Sequence, residues 1–494
     1  MSALYRTATI RAVEQRWISR LGGGVLMDRA ASAVAEAAAR IARTLPRATP
    51  IVALVGPGNN GGDALLAASK LRDRGFPVRA LALSCDEPGA EDARAVWRSW
   101  QAAGGSTGSL DELPALLEHA PLLLDGLFGI GLARPLDGAA ALAVDRLEAA
   151  RHGGVVAIDV PSGIDADTGA IVGGPDSPAI RATLTVTMIG DKPGLHTGAA
   201  LDRVGAVVVA GLGLPGETAP DGELFDRALA RGLLGPRARD THKGSFGSVL
   251  VVGGATGTVG AALLAARGAQ AAGAGKVFIA APDAPVFDPG QPQLMTRPFD
   301  AGFDGIDAIC IGCGLGRSAK AGDALERALR SALPLVLDAD ALNMLADDPA
   351  LARLLAARDA PSVLTPHPLE AARLLQTASR AIQSDRTARA IELAARTGAV
   401  SLLKGAGSVV GLPGGGFSIL AAGCAALATA GTGDVLAGVI AALLAQRLSA
   451  PDAARMGAWV HGTAGEIWQR EHPSGAGLSA ARLPELVTAA MQQP

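Results

Sequence analysis

Short apolar segments alternate with alanine-rich segments of helical pattern along most of the chain. The apolar segments are continuous rather than alternating, which is typical of strands in a parallel sheet that helices cover on both faces. In the first half, strands are predicted within residues 51–56, 78–84, 121–129, 154–163, 182–190 and 205–213. In the second half, they are predicted within residues 248–254, 276–281, 306–312, 333–340, 361–367 and 400–407. The pattern predicts an α/β fold with sites at the carboxyl ends of the strands.

The alternation weakens between residues 213 and 241, where Pro, Gly and charged residues occur without a clear strand. A chain of 494 residues also exceeds what one hydrophobic core usually supports. We therefore expect two α/β domains with a boundary in this stretch.

Composition narrows the range of ligands. Aromatic residues make up only 3% of the chain and the net charge is -3, which argues against nucleic acid and anionic membrane surfaces as partners. The N-terminus lacks the apolar core of a signal peptide, and the apolar segment 435–445 is too short to span a membrane. We expect a soluble, cytoplasmic protein with small-molecule ligands.

Cys310 and Cys313 form a C-x-x-C motif at an apolar strand. The sequence contains no second such motif to complete a zinc site, so packing is favoured over a redox or zinc role.

The segment Gly431–Thr432–Gly433–Asp434 precedes a long apolar helix. Free amides at a helix start bind anions, and the helix dipole reinforces them. This arrangement suits phosphoryl transfer, with the glycine amides stabilising charge and Asp434 accepting the proton of an attacking hydroxyl. The alternative is an ordinary Asp N-cap with glycines that ease helix entry. The segment alone favours neither.

A second glycine-rich loop, GPGNNGGD (56–63), follows the apolar run 51–55. A P-loop would need Lys and then Ser or Thr after its last glycine, and this chain has Asp63 and Ala64 there. An acid at that point argues against simple phosphate binding.

Six segments of the second half together resemble the ADP/ATP-dependent NAD(P)H-hydrate dehydratases of the ribokinase-like superfamily. They are HKGSFGSVLVVGG (242–254), IGCGLG (311–316), LVLDADALNML (335–345), LTPHPLE (364–370), LKGAGSVV (403–410) and ATAGTGDVLAG (428–438). The resemblance implies that the nicotinamide hydrate is faced by Ala261, Gly314, His367 and Asp434, and that the adenine nucleotide is held by Lys404, Gly405, Ala406, Gly407, Ser408 and Gly433. The implied reaction phosphorylates the hydroxyl of the hydrated ring and then eliminates phosphate. Considered without the resemblance, His367 could be a core histidine and Lys404 a solvated lysine at a strand end.

Four segments of the first half resemble the NAD(P)H-hydrate epimerase domain: GPGNNGGD, DGLFGIGLARPL (125–136), AIDVPSG (157–163) and TVTMIGDKPGL (185–195). The resemblance implies that the hydrate is bound by Asn59, Asn60, Gly61, Gly62 and Asp63, and that the dinucleotide is wrapped by Gly129, Ile130, Gly131, Leu132, Ala133, Arg134 and Pro135. It implies a K+ site formed by Asn60, Asp125 and Ser162. Asp159 is the candidate acid/base, with Lys192 as its partner. The alternative for Asp159 is a turn-capping Asp ahead of Pro-Ser-Gly.

The chain departs from these families at a few positions. Cys313 stands where the dehydratases usually have Pro, Leu369 where they have Gly, and Thr432 where Ser is more common. In the first half, Asp28 is followed by Arg29, whereas the epimerases commonly have Asn there. None of these differences removes a proposed acid, base or anion donor.

Together the resemblances imply an N-terminal Rossmann-like three-layer domain (1–215, epimerase), a linker (216–240) and a C-terminal ribokinase-like three-layer domain (241–494, dehydratase). The first would interconvert R and S hydrates of NAD(P)H at a K+ site, and the second would dehydrate the S form with Mg2+ and ADP, releasing AMP and phosphate. ADP is favoured over ATP by the resemblance alone, and the oligomeric state, a homo-oligomer included, stays open. One alternative is an ATP-dependent kinase for a vitamin precursor or sugar, with a non-catalytic N-terminal binding module. Another treats the first domain as a scaffold.

Overall fold

The computed structural model describes residues 2–84, 86–216 and 218–493. Met1 and Pro494, at the ends of the predicted domains, and Glu217, in the predicted linker, lie outside these residues. The chain divides into two compact units. One spans Ala3–Gly222, and the other begins at Glu223 and also includes Ser2.

The N-terminal unit is built on seven parallel strands. The elements up to its end are β1 (Ser2–Leu4), α1 (Thr7–Leu21), α2 (Val25–Ala42), β2 (Ile51–Val55), α3 (Asn59–Asp73), β3 (Val78–Ala82), α4 (Glu91–Ala102), β4 (Thr107–Ser109), α5 (Leu113–Leu117), β5 (Leu122–Gly126), α6 (Gly138–Ala149), β6 (Gly154–Ile158), β7 (Leu184–Met188) and β8 (Ala206–Ala210). The sheet order is β4-β3-β2-β5-β6-β7-β8. All of its strand pairs are parallel.

Alternate residues of the interior strand β2 pack into two different cores. Ile51, Ala53 and Val55 join side chains of α2, α3 and α4. Val52 and Leu54 join side chains of α5 and α6. Because successive residues of a strand point to opposite faces, helices cover both faces of the sheet. This confirms the predicted three-layer arrangement.

The C-terminal unit is built on a larger, mixed sheet. Its elements are β9 (Gly222–Phe225), α7 (Arg227–Leu233), β10 (Ser248–Val252), α8 (Val259–Ala271), β11 (Lys276–Ala280), β12 (Met295–Thr296), β13 (Ala308–Ile311), α9 (Ala319–Arg330), β14 (Leu335–Leu337), α10 (Asp340–Asp347), α11 (Pro349–Ala356), β15 (Ser362–Leu364), α12 (Pro368–Leu375), α13 (Ser379–Ser384), α14 (Arg386–Thr397), β16 (Val400–Leu403), β17 (Val409–Gly411), β18 (Phe417–Leu420), α15 (Thr432–Ala445), α16 (Ala450–Glu471) and α17 (Leu483–Ala490). Within this unit the sheet order is β9-β18-β17-β16-β15-β14-β13-β10-β11-β12. Strand β17 is antiparallel to both of its neighbours.

One face of the larger sheet packs against α8, α15, α16 and α17, which share a core with Val249 and Val251 of β10. Leu250, between these two valines, points to the other face and is also buried. The sheet is therefore covered on both sides, as the continuous apolar strands predict.

Each segment in which the sequence predicts a strand contains one. The stretch 216–240, treated as a linker, carries β9 and α7. The limits of the two domains stay a prediction.

Candidate active sites

The candidate site of the N-terminal unit lies where the chain reverses direction across the sheet. From β2 the chain continues to β3 and β4 on one side, whereas the adjacent β5 leads to β6 and β7 on the other. Such switch points leave a crevice at the carboxyl ends of the strands. The loop 56–58, Asp125, Asp159 and the segment after β7 all lie at these carboxyl ends.

Asp125 and Ser162 form a buried pair in this crevice. One Asp125 oxygen accepts from the Ser162 hydroxyl at 2.6 Å, and the other accepts from the Ser162 amide at 2.8 Å. The Ser162 oxygen also lies 3.1 Å from the carbonyl of Phe128. Burial raises the pKa of Asp125 to about 6, although the hydrogen bonds from Ser162 and Leu127 oppose the shift. A cation beside this carboxylate would favour its charged form.

Two buried polar atoms near the start of α3 have no hydrogen-bond partner in the described structure. They are Nδ2 of Asn60 and Oδ1 of Asp63. A buried polar atom without a partner is costly, so these atoms are suited to meet a ligand. Burial raises the pKa of Asp63 well above its ordinary range, and the carboxylate of Asp159 raises it further.

Gly129 brings the loop 129–135 against the start of α3. A Cβ at Gly129 would lie 3.1 Å from Oδ1 of Asn60 and 3.5 Å from Oδ2 of Asp159. Any side chain there would enter the space between the two residues. The structure thus brings together Asn60, Gly129 and Asp159, which the sequence predicted as parts of one site. Arg134, in the same loop, is exposed.

Asp159 forms an ion pair with Lys192. It follows β6 with φ 68°, an uncommon backbone conformation for a residue other than glycine that Asp tolerates better than most. The Lys192 ammonium lies 2.8 Å from Oδ1 of Asp159, and its side chain is completely buried. The same Asp159 oxygen accepts from the amide of Met188 at 3.1 Å. These bonds connect Asp159 to β7 rather than to its own Pro-Ser-Gly turn, so the turn-capping alternative is wrong.

Helix α1 adds charged residues that the sequence analysis did not identify. Arg11 approaches the carbonyl of Ile130 at 3.4 Å. The pKa of the half-buried Glu14 is raised, mainly by burial and next by repulsion from Asp159. These residues were missed because nothing in the local pattern of α1 distinguishes them from a solvated helix face.

The candidate site of the C-terminal unit centres on the start of α15. Gly431 is the N-cap, with φ 90°, and no side chain caps the first turn. Asp434 lies within that turn and is not its cap, so the N-cap alternative is wrong. Behind the turn, Nε2 of the buried His461 lies 2.9 Å from the carbonyl of Thr432. The uncapped amides are consistent with the predicted anion site.

The carboxylate of Asp434 is close to a thiol and a second carboxylate. Cys313 Sγ, an oxygen of Asp338 and an oxygen of Asp434 all lie within 4.8 Å of one another. The pKa of Asp434 is raised to about 6, mainly by burial and next by repulsion from Asp338. A carboxylate with this pKa is a better proton acceptor than an ordinary exposed Asp, and it is still ionised at neutral pH.

Lys404 is bound to Asp338 rather than solvated. Its ammonium lies 2.9 Å from Oδ1 of Asp338, which follows β14 and is buried. A Cβ at Gly433 would lie 3.2 Å from this ammonium. Burial lowers the pKa of Lys404, but attraction to Asp338 and Glu370 outweighs burial and raises it overall. The alternative of a solvated strand-end lysine is therefore wrong.

His367 is the N-cap of α12. Its Nδ1 accepts from the amides of Leu369 and Glu370, and its side chain is 47% exposed. Burial of the ring, together with repulsion from Lys404, lowers the pKa of His367. With Nδ1 bound to the helix, Nε2 is on the exposed side of the ring and is 3.4 Å from Glu370. His367 is not a core histidine.

The other predicted residues of this unit also lie at the carboxyl ends of strands. Gly314, with φ 62°, follows β13, and a Cβ there would lie 2.5 Å from the carbonyl of Thr258. Ala261 is in the first turn of α8, next to that contact. In the loop after β16, the Ser408 hydroxyl donates to the carbonyl of Gly405 at 3.1 Å.

The two close cysteines are free thiols. Cys310 and Cys313 are buried in the core of the unit. This agrees with the packing role that the sequence favours. No helix among the described residues has the length and hydropathy that a membrane span needs.

Comparison with known proteins gives matches over both units. A family model described as NAD(P)H-hydrate dehydratase matches residues 249–488, and one described as the YjeF-related protein N-terminus matches residues 23–194. A bifunctional NAD(P)H-hydrate repair enzyme of Moorella thermoacetica is 37% identical over 476 residues, covering 90% of this chain and 88% of that protein. The enzyme of the same name from Escherichia coli is 36% identical, covering 87% and 83%. A crystal structure of the ADP/ATP-dependent NAD(P)H-hydrate dehydratase from Bacillus subtilis, co-crystallized with ATP/Mg2+, is 29% identical, with a TM-score of 0.49, and covers 56% of this chain and 99% of that one.

Proposed function

The chain belongs to the family of bifunctional NAD(P)H-hydrate repair enzymes, and we propose that its two candidate sites perform that family's two reactions. The N-terminal site epimerises R and S hydrates of NAD(P)H. The C-terminal site dehydrates the S form with an adenine nucleotide. The observation that carries the second assignment is the uncapped start of α15 with Asp434 in its first turn, because dehydration through a phosphate ester needs an anion site and a base together.

In the dehydratase reaction, Asp434 takes the proton of the ring hydroxyl while that oxygen attacks the terminal phosphoryl group of the nucleotide. The amides at the start of α15 stabilise charge on the transferred group, and Lys404 supplies a positive charge beside Gly433. With ADP as phosphoryl donor, AMP leaves. The ester then loses inorganic phosphate and a proton from the neighbouring carbon, which restores the ring double bond of NAD(P)H. His367, Ala261 and Gly314 face the hydrate, and the segment Lys404–Ser408 holds the nucleotide.

Mg2+ accompanies the nucleotide and neutralises phosphate charge. It usually keeps several waters and binds through phosphates with one or two carboxylates. The nearby donors in the described structure are a thiol and two carboxylates, one of them bound to Lys404, and they do not form an oxygen cage. We therefore assign no protein ligand to Mg2+.

In the epimerase reaction, Asp159 exchanges a proton with the hydroxyl group on the carbon whose configuration inverts. Hydration of an enamine places this hydroxyl on the carbon next to the ring nitrogen, so moving its proton opens a route to inversion at that carbon. Lys192 fixes the carboxylate and compensates its charge in the buried crevice. The unpartnered atoms of Asn60 and Asp63 are available to bind the hydrate.

The crevice suits a monovalent hard cation. Asp125 and Ser162 supply oxygen atoms in the buried crevice, and Asn60 has an amide oxygen beside Gly129. Burial of Asp125 is unfavourable to its charged form unless a cation compensates it. K+ bound to these residues would supply the compensating charge and an anchor for an oxygen of the substrate.

The assignment is tested by crossed substitutions in the full chain. We expect Asp434→Asn to reduce dehydration of the S hydrate about 100- to 10,000-fold and to leave epimerisation intact, since only the base of one site is removed. Asp159→Asn should do the reverse. The measurement is NADH absorbance recovery for dehydration and chromatographic separation of the R and S hydrates for epimerisation.

Each variant is the control for the other, because both exchange one buried carboxylate for an isosteric amide. Loss of both activities in either variant would indicate a folding defect, which thermal unfolding would reveal. Full dehydration by a folded Asp434→Asn variant would contradict the role of Asp434. Transfer of phosphate to a stable product would identify a kinase instead.

A further inference from the structure

Asp338 is a buried acid at the dehydratase site that the sequence analysis assigned no role. It directly follows β14 and is 2% exposed. Its Oδ1 binds the Lys404 ammonium at 2.9 Å. Its Oδ2 would lie 3.9 Å from a Cβ at Gly433. Asp338 therefore reaches Lys404 and the first turn of α15 at the same time.

Lys404 would be poorly fixed without this contact. A lysine side chain has four rotatable carbons, and its ammonium is a point charge that does not define its own orientation. Asp338 is the only acid in the described structure that forms an ion pair with it. The pair holds the ammonium beside Gly433, where the transferred phosphoryl group would bind.

The same carboxylate lies close to the base. An oxygen of Asp338 is within 4.8 Å of an oxygen of Asp434. The charged and titratable groups that act on Asp434 are Asp338 after β14, Asp340 in α10, Lys404 after β16 and Cys313 after β13. Among them, Asp338 and Asp340 make Asp434 a stronger base, whereas Lys404 and Cys313 make it weaker.

We propose that Asp338 is a positioning residue of the dehydratase, which holds the Lys404 ammonium at the phosphoryl site and lies directly beside Asp434. The inference rests on the proposed function of the C-terminal site. Asp338 does not touch the reacting atoms, and it acts through Lys404 and Asp434. Two negative groups are tolerated so close together because the lysine lies against one of them.

The test compares steady-state kinetics of full-length variants with S hydrate, ADP or ATP, and Mg2+. We expect Asp338→Asn to lower kcat/KM for the nucleotide about 10- to 100-fold, since the ammonium is no longer held in place. The acidic limb of the pH profile should also move to lower pH, because a negative charge near Asp434 is lost. Cys313→Ala should move that limb the other way, since the thiol hydrogen bond that weakens the base is removed.

A double-mutant cycle distinguishes action through Lys404 from general damage. Asp338→Asn combined with Lys404→Met should lose clearly less nucleotide kcat/KM than the product of the two single losses, because both changes remove the same ion pair. Asp340→Asn is the matched control, because Asp340 also acts on Asp434 but forms no ion pair with Lys404 in the described structure. It should leave the nucleotide KM unchanged.

Three results would overturn the inference: additive losses in the double variant, an unmoved pH limb, or the same nucleotide kinetics in the Asp338 and Asp340 variants. Asp338→Glu, which keeps the charge, should recover part of the activity, and no recovery in a folded variant would also count against it. Urea denaturation of each variant reports folding of the C-terminal unit, which carries Asp338. A wild-type chain that dehydrates no hydrate would instead contradict the proposed function itself.

Discussion

At the scale of single residues, burial determines the chemistry that the acids can perform. Asp434 is an ordinary carboxylate by sequence, yet its surroundings raise its pKa to about 6. Burial is the larger cause and the charge of Asp338 the next. The site thereby keeps a proton acceptor that is strong and still ionised at neutral pH.

This pKa predicts the pH dependence of dehydration. A general base acts in its deprotonated form, so kcat/KM for the S hydrate should fall as the pH drops through about 6, tenfold per pH unit at the acidic end. The measurement is initial rate against pH with saturating nucleotide, corrected for the acid lability of the hydrate. A profile that stays flat down to pH 5 would show that Asp434 is not the base.

The sequence supplied part of each site and missed the rest for a physical reason. Asp159, Asp434 and Lys404 lie in segments with a recognisable order, and the structure places each beside a partner. Asp338 and Glu14 could not be chosen in this way, because their surroundings depend on contacts distant in sequence. For Asp338 one signal was available: it lies towards the carboxyl end of the segment 333–340, in which a strand is predicted, and sites occur at such ends.

At the scale of elements, the start of α15 depends on close packing against α8. A Cβ at Gly438 would lie 1.8 Å from the carbonyl of Ala265, and one at Gly268 would lie 2.3 Å from the carbonyl of Val435. The two helix backbones approach each other directly through these glycines. Because α15 carries Asp434, this packing also sets where the base lies relative to β13 and β14.

We therefore expect Gly438→Ala to lower the free energy of unfolding of the C-terminal unit by about 2–3 kcal/mol, since the helices must separate. Dehydration should fall with it, whereas epimerisation should persist. Gly322→Ala is the matched control, because Gly322 is in helix α9 and a Cβ there meets nothing within 4 Å. It should be neutral or stabilising by about 0.5–1 kcal/mol. Urea denaturation measures both, and equal effects would refute the packing argument.

Helix α16 supports the same turn through His461. Burial lowers the pKa of this histidine to about 4, below the value of about 6.5 expected in the unfolded chain. The folded state therefore resists protonation, and its stability should fall as the pH drops from about 6.5 to about 4, by as much as about 3 kcal/mol. Denaturation of the wild type and of His461→Gln across this range isolates the contribution. If the difference in unfolding free energy between the wild type and His461→Gln does not change with pH, protonation of His461 does not affect stability.

The apolar pattern predicted most of the parallel strands but missed β4, β12 and β17. β4 and β17 have three residues each, and β12 has two. Strands β14 and β15 are as short as β4 but lie in longer apolar segments, whereas β4 has no large apolar residue from which a strand could be recognised. The antiparallel hairpin of β17 and β18 interrupts the alternation of strand and helix on which the prediction of a parallel sheet rested.

At the scale of the whole molecule, two α/β units with separate sheets provide two different chemistries. A dehydratase that accepts one epimer leaves the other unused unless the two interconvert, and an epimerase in the same chain provides that conversion. Each unit has its own core and its own site at the carboxyl ends of its strands. One chain therefore carries both reactions.

The most direct test mixes the purified full-length protein with a defined mixture of R and S NADH hydrates, Mg2+, K+ and either ADP or ATP. We expect prompt recovery of NADH absorbance from the S fraction, followed by slower but complete recovery from the R fraction. The nucleotide that supports the faster recovery identifies the phosphoryl donor. Recovery limited to the S fraction, beyond spontaneous interconversion, would contradict the epimerase assignment, and no recovery with either nucleotide would contradict the dehydratase assignment.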